Sequence, residues 1–302
     1  MALVALAAAP GQAASTGAAT SGSRTTASSA ADPLCLHNYL HAPPRRAVPL
    51  RFGIDSGLAG TAGGAQLRAV PDDPTRDLAA VRRLRVPRKA LVVRLNRLFL
   101  SDGAAGIARF RRRSAAYGRA GLDVEIQVRY HPSPEQAGNL TAWTRYVRRV
   151  VDVLGANPHV IAMTITNEVN VAFSPNTSDG AYPAAEKALI EGVEAAHDQA
   201  LRDHLSRLRF GFTYAYRFGP ASDAAFFARL RTLGGIRFRR ALGFVGLDFF
   251  PGTIFPSAVA PGGYRAALAQ AAGVVRRCLA PRAGIGPGVP IWSPRPGCPP
   301  ES

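Results

Sequence analysis

From about residue 48 onward, two hydrophobic periods take turns along the chain. Short stretches alternate apolar and polar positions with a period of two, as half-buried strands do. Longer stretches between them repeat apolar positions every three to four residues, as amphipathic helices do. The predicted strands are PLRFGIDSG, KALVVRLNRLF, LDVEIQVRYHP, HVIAMTITNEVN, RFGFTYAYRF, ALGFVGLDFFPG and GVPIW. The helices between them begin with TRDLAAVRRL and AAGIARFRRRSAAYGRAG, the second closed by Gly121 as a C-cap. They continue with PEQAGNLTAWTRYVRRVVDVLGANP and the long AYPAAEKALIEGVEAAHDQALRDHLSRL. ASDAAFFARLRTLG and GYRAALAQAAGVVRRCL complete the series.

Strict strand–helix alternation predicts an all-parallel α/β sheet. Such a sheet is either open and doubly wound or closed into a (β/α)8 TIM barrel. The strand faces favour the barrel. In the third strand Glu125, Gln127, Arg129 and His131 share one face, and Val124, Ile126 and Val128 the other. In the fourth, Ala162, Thr164, Thr166 and Glu168 oppose Ile161, Met163 and Ile165. An open parallel sheet meets helices on both faces and reads as apolar on both. No GxGxxG follows the first strand, which weighs against a dinucleotide fold.

Composition refines this picture at the ends. The chain has 302 residues, 47% of them apolar, enough for a sizeable core. Residues 1–14 resemble the apolar core and small-residue cleavage region of a secretory signal whose charged start is clipped, and predict a secreted protein. Residues 15–47 are rich in Ser, Thr, Ala and Gly and predict a flexible linker. Residues 48–302 form the barrel. The formal charge is +17, but lysine occurs only at Lys89 and Lys187, so almost all of the 37 basic residues are arginine. Arg, Ala, Gly and Pro share GC-rich codons, and the arginines are dispersed rather than gathered in a stripe. Nucleic acid is therefore not an expected partner. No stretch is apolar for the roughly 20 residues a membrane span requires. Cys35, Cys278 and Cys298 have no zinc-like spacing and read as isolated thiols, although one disulfide can be drawn. No metal or cofactor is implied, and a monomer is expected.

A barrel of this kind carries its chemistry at the C-terminal ends of its strands. The residues there are Asp55, Arg94, Asn96, His131, Asn167, Glu168, Tyr214, Tyr216, Asp248 and Phe250, with Trp292 on the seventh strand. Each has a plain alternative. Arg94 can pair with Asp55 or Glu125 inside the lumen, His131 can be a structural histidine, Tyr214 and Tyr216 can be filler, and Asp248 can orient a neighbour. Glu168 stands apart, because a carboxylate ending an apolar and Thr-lined strand is costly to place without a use.

Here the chain resembles the clan-A glycoside hydrolases, the superfamily of cellulases, mannanases and β-glycosidases. MTITNEVN resembles their Asn-Glu signature at the end of strand four, VVRLN their arginine-bearing second strand, RYHP the histidine after strand three, and GLDFFPGT the sixth strand. The resemblance spans roughly residues 48–292. It implies retaining hydrolysis of a β-linked oligo- or polysaccharide by two carboxylates about 5–5.5 Å apart. Glu168 would be the general acid/base, Asn167 would hold the 2-hydroxyl and position the nucleophile, and Arg94 would keep the nucleophile ionised. His131, Tyr214, Tyr216, Asp248, Phe250 and Trp292 would line the sugar site.

The family's nucleophile is a Glu at the end of strand seven, in a stretch like Ile-Thr-Glu-x-Gly. An ungapped match places Arg295 there, and an arginine cannot attack an anomeric carbon. Strand eight and its helix have no counterpart before Ser302, so two open sheet edges are expected. Codon choices exist for residues 293–297 that read Ile-Thr-Glu-Thr-Gly once a single base is restored. A one-nucleotide deletion after the Trp292 codon is therefore the expectation, against a genuine lineage-specific end. The alternative function is a non-catalytic, carbohydrate-binding barrel.

Overall fold

A computed structural model describes residues 52–56, 73–86, 89–172, 175, 177–216, 220–249 and 263–296. Seven strands form one sheet, all parallel and in sequence order: β1 (Phe52–Ser56), β2 (Leu91–Phe99), β3 (Asp123–Arg129), β4 (Val160–Ile165), β5 (Arg209–Ala215), β6 (Phe244–Phe249) and β7 (Ile291–Pro296). The sheet curls far enough that β1 and β7 approach each other without pairing. The expected open edges therefore face each other rather than splaying apart. Seven strands and the six α-helices between them are what is described of the expected eightfold barrel.

Six α-helices run between the strands: α1 (Pro74–Leu84), α2 (Gly103–Arg119), α3 (Leu140–Gly155), α4 (Ala185–Arg202), α5 (Pro220–Ala241) and α6 (Gly263–Val274). Local chemistry starts several of them. The Asp73 carboxylate accepts from the amides of Thr75 and Arg76, with Pro74 in the first turn of α1. Asn139 caps α3 by accepting from the Ala142 amide at 2.9 Å. The α3 stripe Trp143, Tyr146, Val147, Val150, Val151 and Leu154 is buried at three- and four-residue spacing. The long helix predicted over residues 181–208 is shorter, with left-handed backbone at Ala184 and His204, φ 60° and 56°, bounding it at its two ends. Helix α5 runs on past the expected stop and breaks at Gly235, whose φ of 56° is open to glycine and costly for other residues.

The core lies between strands and helices. Val93, Leu95, Val124, Ile126, Val128, Met163, Ile165, Phe212, Val245 and Leu247 are buried against the helical shell. The other strand face lines the lumen and is polar in its middle, as the alternation predicts. Cys278 is disulfide-bonded, which corrects the reading of isolated thiols. No helix of the described residues is long and apolar enough to cross a membrane.

Candidate active site

The lumen is wired strand to strand. On β1 and β2, Asn96 Nδ2 donates to Asp55 Oδ2, and Arg94 Nε donates to Asn96 Oδ1 at 2.9 Å. Arg94 also lies 3.4 Å from Glu125 on β3, and Thr164 on β4 donates to the same carboxylate. Arg94 thus takes the lumen ion pair with Glu125, while Asn96 occupies Asp55. Its position leaves both terminal guanidinium nitrogens, Nη1 and Nη2, buried without a hydrogen bond among the described residues.

Above this layer the β4 pattern changes. Thr166 has a left-handed backbone, with φ 69°. The turn ends the period-two alternation, so Asn167 rather than Thr166 carries on along the lumen. Gln127 Nε2 donates to Asn167 Oδ1 at 2.6 Å, and Thr213 Oγ1 donates to the same oxygen at 3.2 Å. Asn167 Nδ2 donates to the Thr177 carbonyl at 2.7 Å. The amide expected to hold a sugar hydroxyl is thus committed inside the protein on both its oxygen and its nitrogen, with one N–H left over. Glu168 follows with φ 48°, is 9% exposed, and its amide donates to the Thr213 carbonyl at 3.0 Å. It lies three residues past Ile165, the last residue of β4.

Behind this pair lies a fully buried ion pair that the sequence reading missed. Asp179 Oδ1 accepts from Arg129 Nε at 2.9 Å and lies 2.7 Å from a terminal guanidinium nitrogen. Asp179 Oδ2 accepts from the amides of Tyr130 and Asn167, each at 2.9 Å. Burial pushes the Asp179 carboxyl up, outweighing the pull of Arg129 and the two amides. Asp179 lies in a polar loop that reads as an ordinary turn. The available signal was Arg129, since a lumen-facing arginine on β3 needs a buried counter-charge.

The remaining predicted residues scatter. His131 is half-buried after β3, between the rings of Phe99 and Tyr182 with centroids at 4.5 and 5.1 Å. Burial and then Arg129 lower its pKa, and its Nδ1 has no hydrogen-bond partner among the described residues. Tyr214 is not at the mouth. It lies on the helix-facing side of β5, fully buried against Phe226 and Phe227 of α5. Its alternation partner Tyr216 follows the same side and meets Phe249 edge-on at 5.6 Å. Trp292 also leaves the mouth. It lies near the start of β7, level with Gly246, and stacks on Phe244 with centroids 4.1 Å apart. Phe250 lies outside the described residues.

Asp248 is completely buried near the end of β6, and both its oxygens are without hydrogen bonds among the described residues. Its register partner on β7 is Arg295. A cavity of about 570 Å³ opens beside β2, lined in part by Asn96, Arg97, Phe99 and Arg109. Glu168 does not line it.

Comparison with solved structures returns partial matches of low identity. A β-glucosidase from Thermotoga maritima bound to castanospermine is 14% identical, with a TM-score of 0.40, over 59% of this chain and 53% of that one. The GH1 β-glucosidase from Exiguobacterium antarcticum B7 is 13% identical, also at 0.40, over 58% and 53%. GH5_18 from Streptomyces cattleya in complex with GlcNAc is 13% identical, at 0.40, over 66% and 50%. The chain spans about half the length of these structures. No family model and no curated protein sequence matches it.

Proposed function

We propose that this chain is a glycoside-hydrolase-type barrel that binds a β-linked sugar through the mouth around Glu168, with hydrolysis impaired by Arg295. The observation that carries the reading is the end of β4. Two left-handed residues, Thr166 and Glu168, bracket an Asn167 whose side chain is held at its oxygen and through one N–H. That much constraint around one carboxylate suits a residue whose placement matters. In the proposed reaction Glu168 protonates the leaving oxygen and then activates the attacking water. In a retaining enzyme a second carboxylate attacks the anomeric carbon. By the resemblance that position falls to Arg295, which is in register with Asp248 on β6. Arg94 would support that second group through the Glu125 network. The disulfide at Cys278 supports an oxidising, secreted setting.

The test compares the chain with Arg295→Glu on a panel of aryl β-glycosides. Sugar binding with slow turnover in the parent, and faster turnover with retention of anomeric configuration in Arg295→Glu, is the expected result. Glu168→Gln in that variant should then cost about 10²–10⁴ in rate. Binding without any turnover in either protein would favour the non-catalytic reading, for which Arg295 is the specific argument. Neither binding nor turnover sinks both.

A further inference from the structure

We infer that Asp179 is a positioning residue for Glu168, acting through the backbone of Asn167; the role rests on Glu168 being the acid of the proposed reaction. Threonine in the left-handed region is sterically disfavoured, and Glu168 adopts the same region two residues later. Such a backbone persists only where its surroundings over-determine it. Asp179 supplies that constraint from both directions. Its carboxylate accepts the Asn167 amide at 2.9 Å, and its own amide donates to the Asn167 carbonyl at 2.8 Å. That carbonyl belongs to the peptide bond leading into Glu168. The peptide planes on either side of Asn167 are therefore tied to one residue.

Asp179 is itself anchored to the barrel rather than to its loop alone. Arg129 on β3 grips Oδ1, and the Tyr130 amide shares Oδ2 with Asn167. The loop can approach this closely because residue 180 is glycine. A β-carbon there would collide with the carbonyls of Val169 and Val171, just past Glu168. Ser178 Oγ donates to the Val171 carbonyl at 2.7 Å and closes the far side. The segment before Gly180 thus clamps the segment after Asn167, and β3 holds the clamp.

A purely structural pin would stabilise the whole barrel without favouring the acid. Two measurements on the full chain separate the roles. The first is backbone amide hydrogen exchange in Asp179→Leu and Asp179→Asn. The Asn167 and Glu168 amides should exchange at least about tenfold faster in Asp179→Leu, and less so in Asp179→Asn, which keeps one acceptor. Amides of Val93 and Val147 should stay near their parent rates. Equal acceleration everywhere, or no change at Asn167, overturns the inference. The second is kcat/KM for glycosides whose leaving groups need much or little protonation. A displaced acid should slow the poor leaving group at least about tenfold more than the good one. Glu186→Gln, which removes the surface pair with Arg229, should show no such bias. Equal losses on both substrates in Asp179→Asn also overturn the inference. A parent inert on every glycoside defeats the proposed function instead, and the exchange result then decides alone whether Asp179 holds Asn167 and Glu168.

Discussion

Gln127 and Asn167 meet side chain to side chain across the lumen, with Nε2 and Oδ1 at 2.6 Å and both residues buried. The contact joins the middle of β3 to the turn that ends β4. Gln127→Leu should therefore leave Asn167 short of a donor and lower stability by about 1–3 kcal/mol. Urea unfolding of the two proteins measures it. An unchanged midpoint would mean that Thr213 alone satisfies the Asn167 oxygen.

Asp248 presents the opposite case, a buried carboxylate with no hydrogen bond among the described residues. Desolvation without compensation is costly. Asp248→Asn should raise the thermal midpoint, by about 2–4 °C for each kcal/mol gained. A fall instead would mean that the Asp248 carboxylate is compensated by groups outside the described residues.

His131 should make stability depend on pH near neutrality. Burial holds its folded pKa below the ordinary 6.5, with Arg129 acting in the same direction and Asp179 and Asp102 against it. The unfolded chain therefore binds the proton more readily. Stability from this residue is complete above about 6.5 and is lost as pH falls from there through the lowered folded value. Denaturation midpoints across that range should fall less steeply in His131→Gln than in the parent. Parallel pH curves would refute the assignment.

Tyr214→Phe tests the outward placement of that ring. The hydroxyl is buried without a partner among the described residues, and burial raises its pKa well above the usual value. Removing it should leave stability unchanged or improve it by up to about 1 kcal/mol. Sugar binding should be unaffected. Weaker binding would return Tyr214 to the mouth.

The seven strands and their parallel order were legible because strand and helix periods differ so plainly along this chain. The polar lumen was legible for the same reason, through Glu125, Gln127 and Arg129. Tyr214 and Tyr216 were misplaced because an aromatic strand residue suits either face, and only distant contacts, Phe226 and Phe227 of α5 for Tyr214 and Phe249 of β6 for Tyr216, decide between them. Trp292 was misplaced because the contact that claims it, Phe244, lies 48 residues earlier in the chain. Asp179 was invisible because its partner Arg129 is 50 positions away, and no local pattern marks a buried acid in a polar loop. The left-handed turn at Thr166 was equally hidden, since threonine gives no hint of it.

The stack of Trp292 on Phe244 also has an optical consequence. The protein has two tryptophans, and they report on different places. Trp143 is fully buried in α3, and its indole N–H donates to the Ala188 carbonyl at 2.7 Å. Trp292 is half-buried on β7, beside the unpaired seam with β1. Emission from the first follows the interior, and emission from the second follows the closing edge. Trp143→Phe and Trp292→Phe therefore yield two single-fluorophore proteins, and the difference between their melting curves is a direct readout of whether the seam opens before the rest.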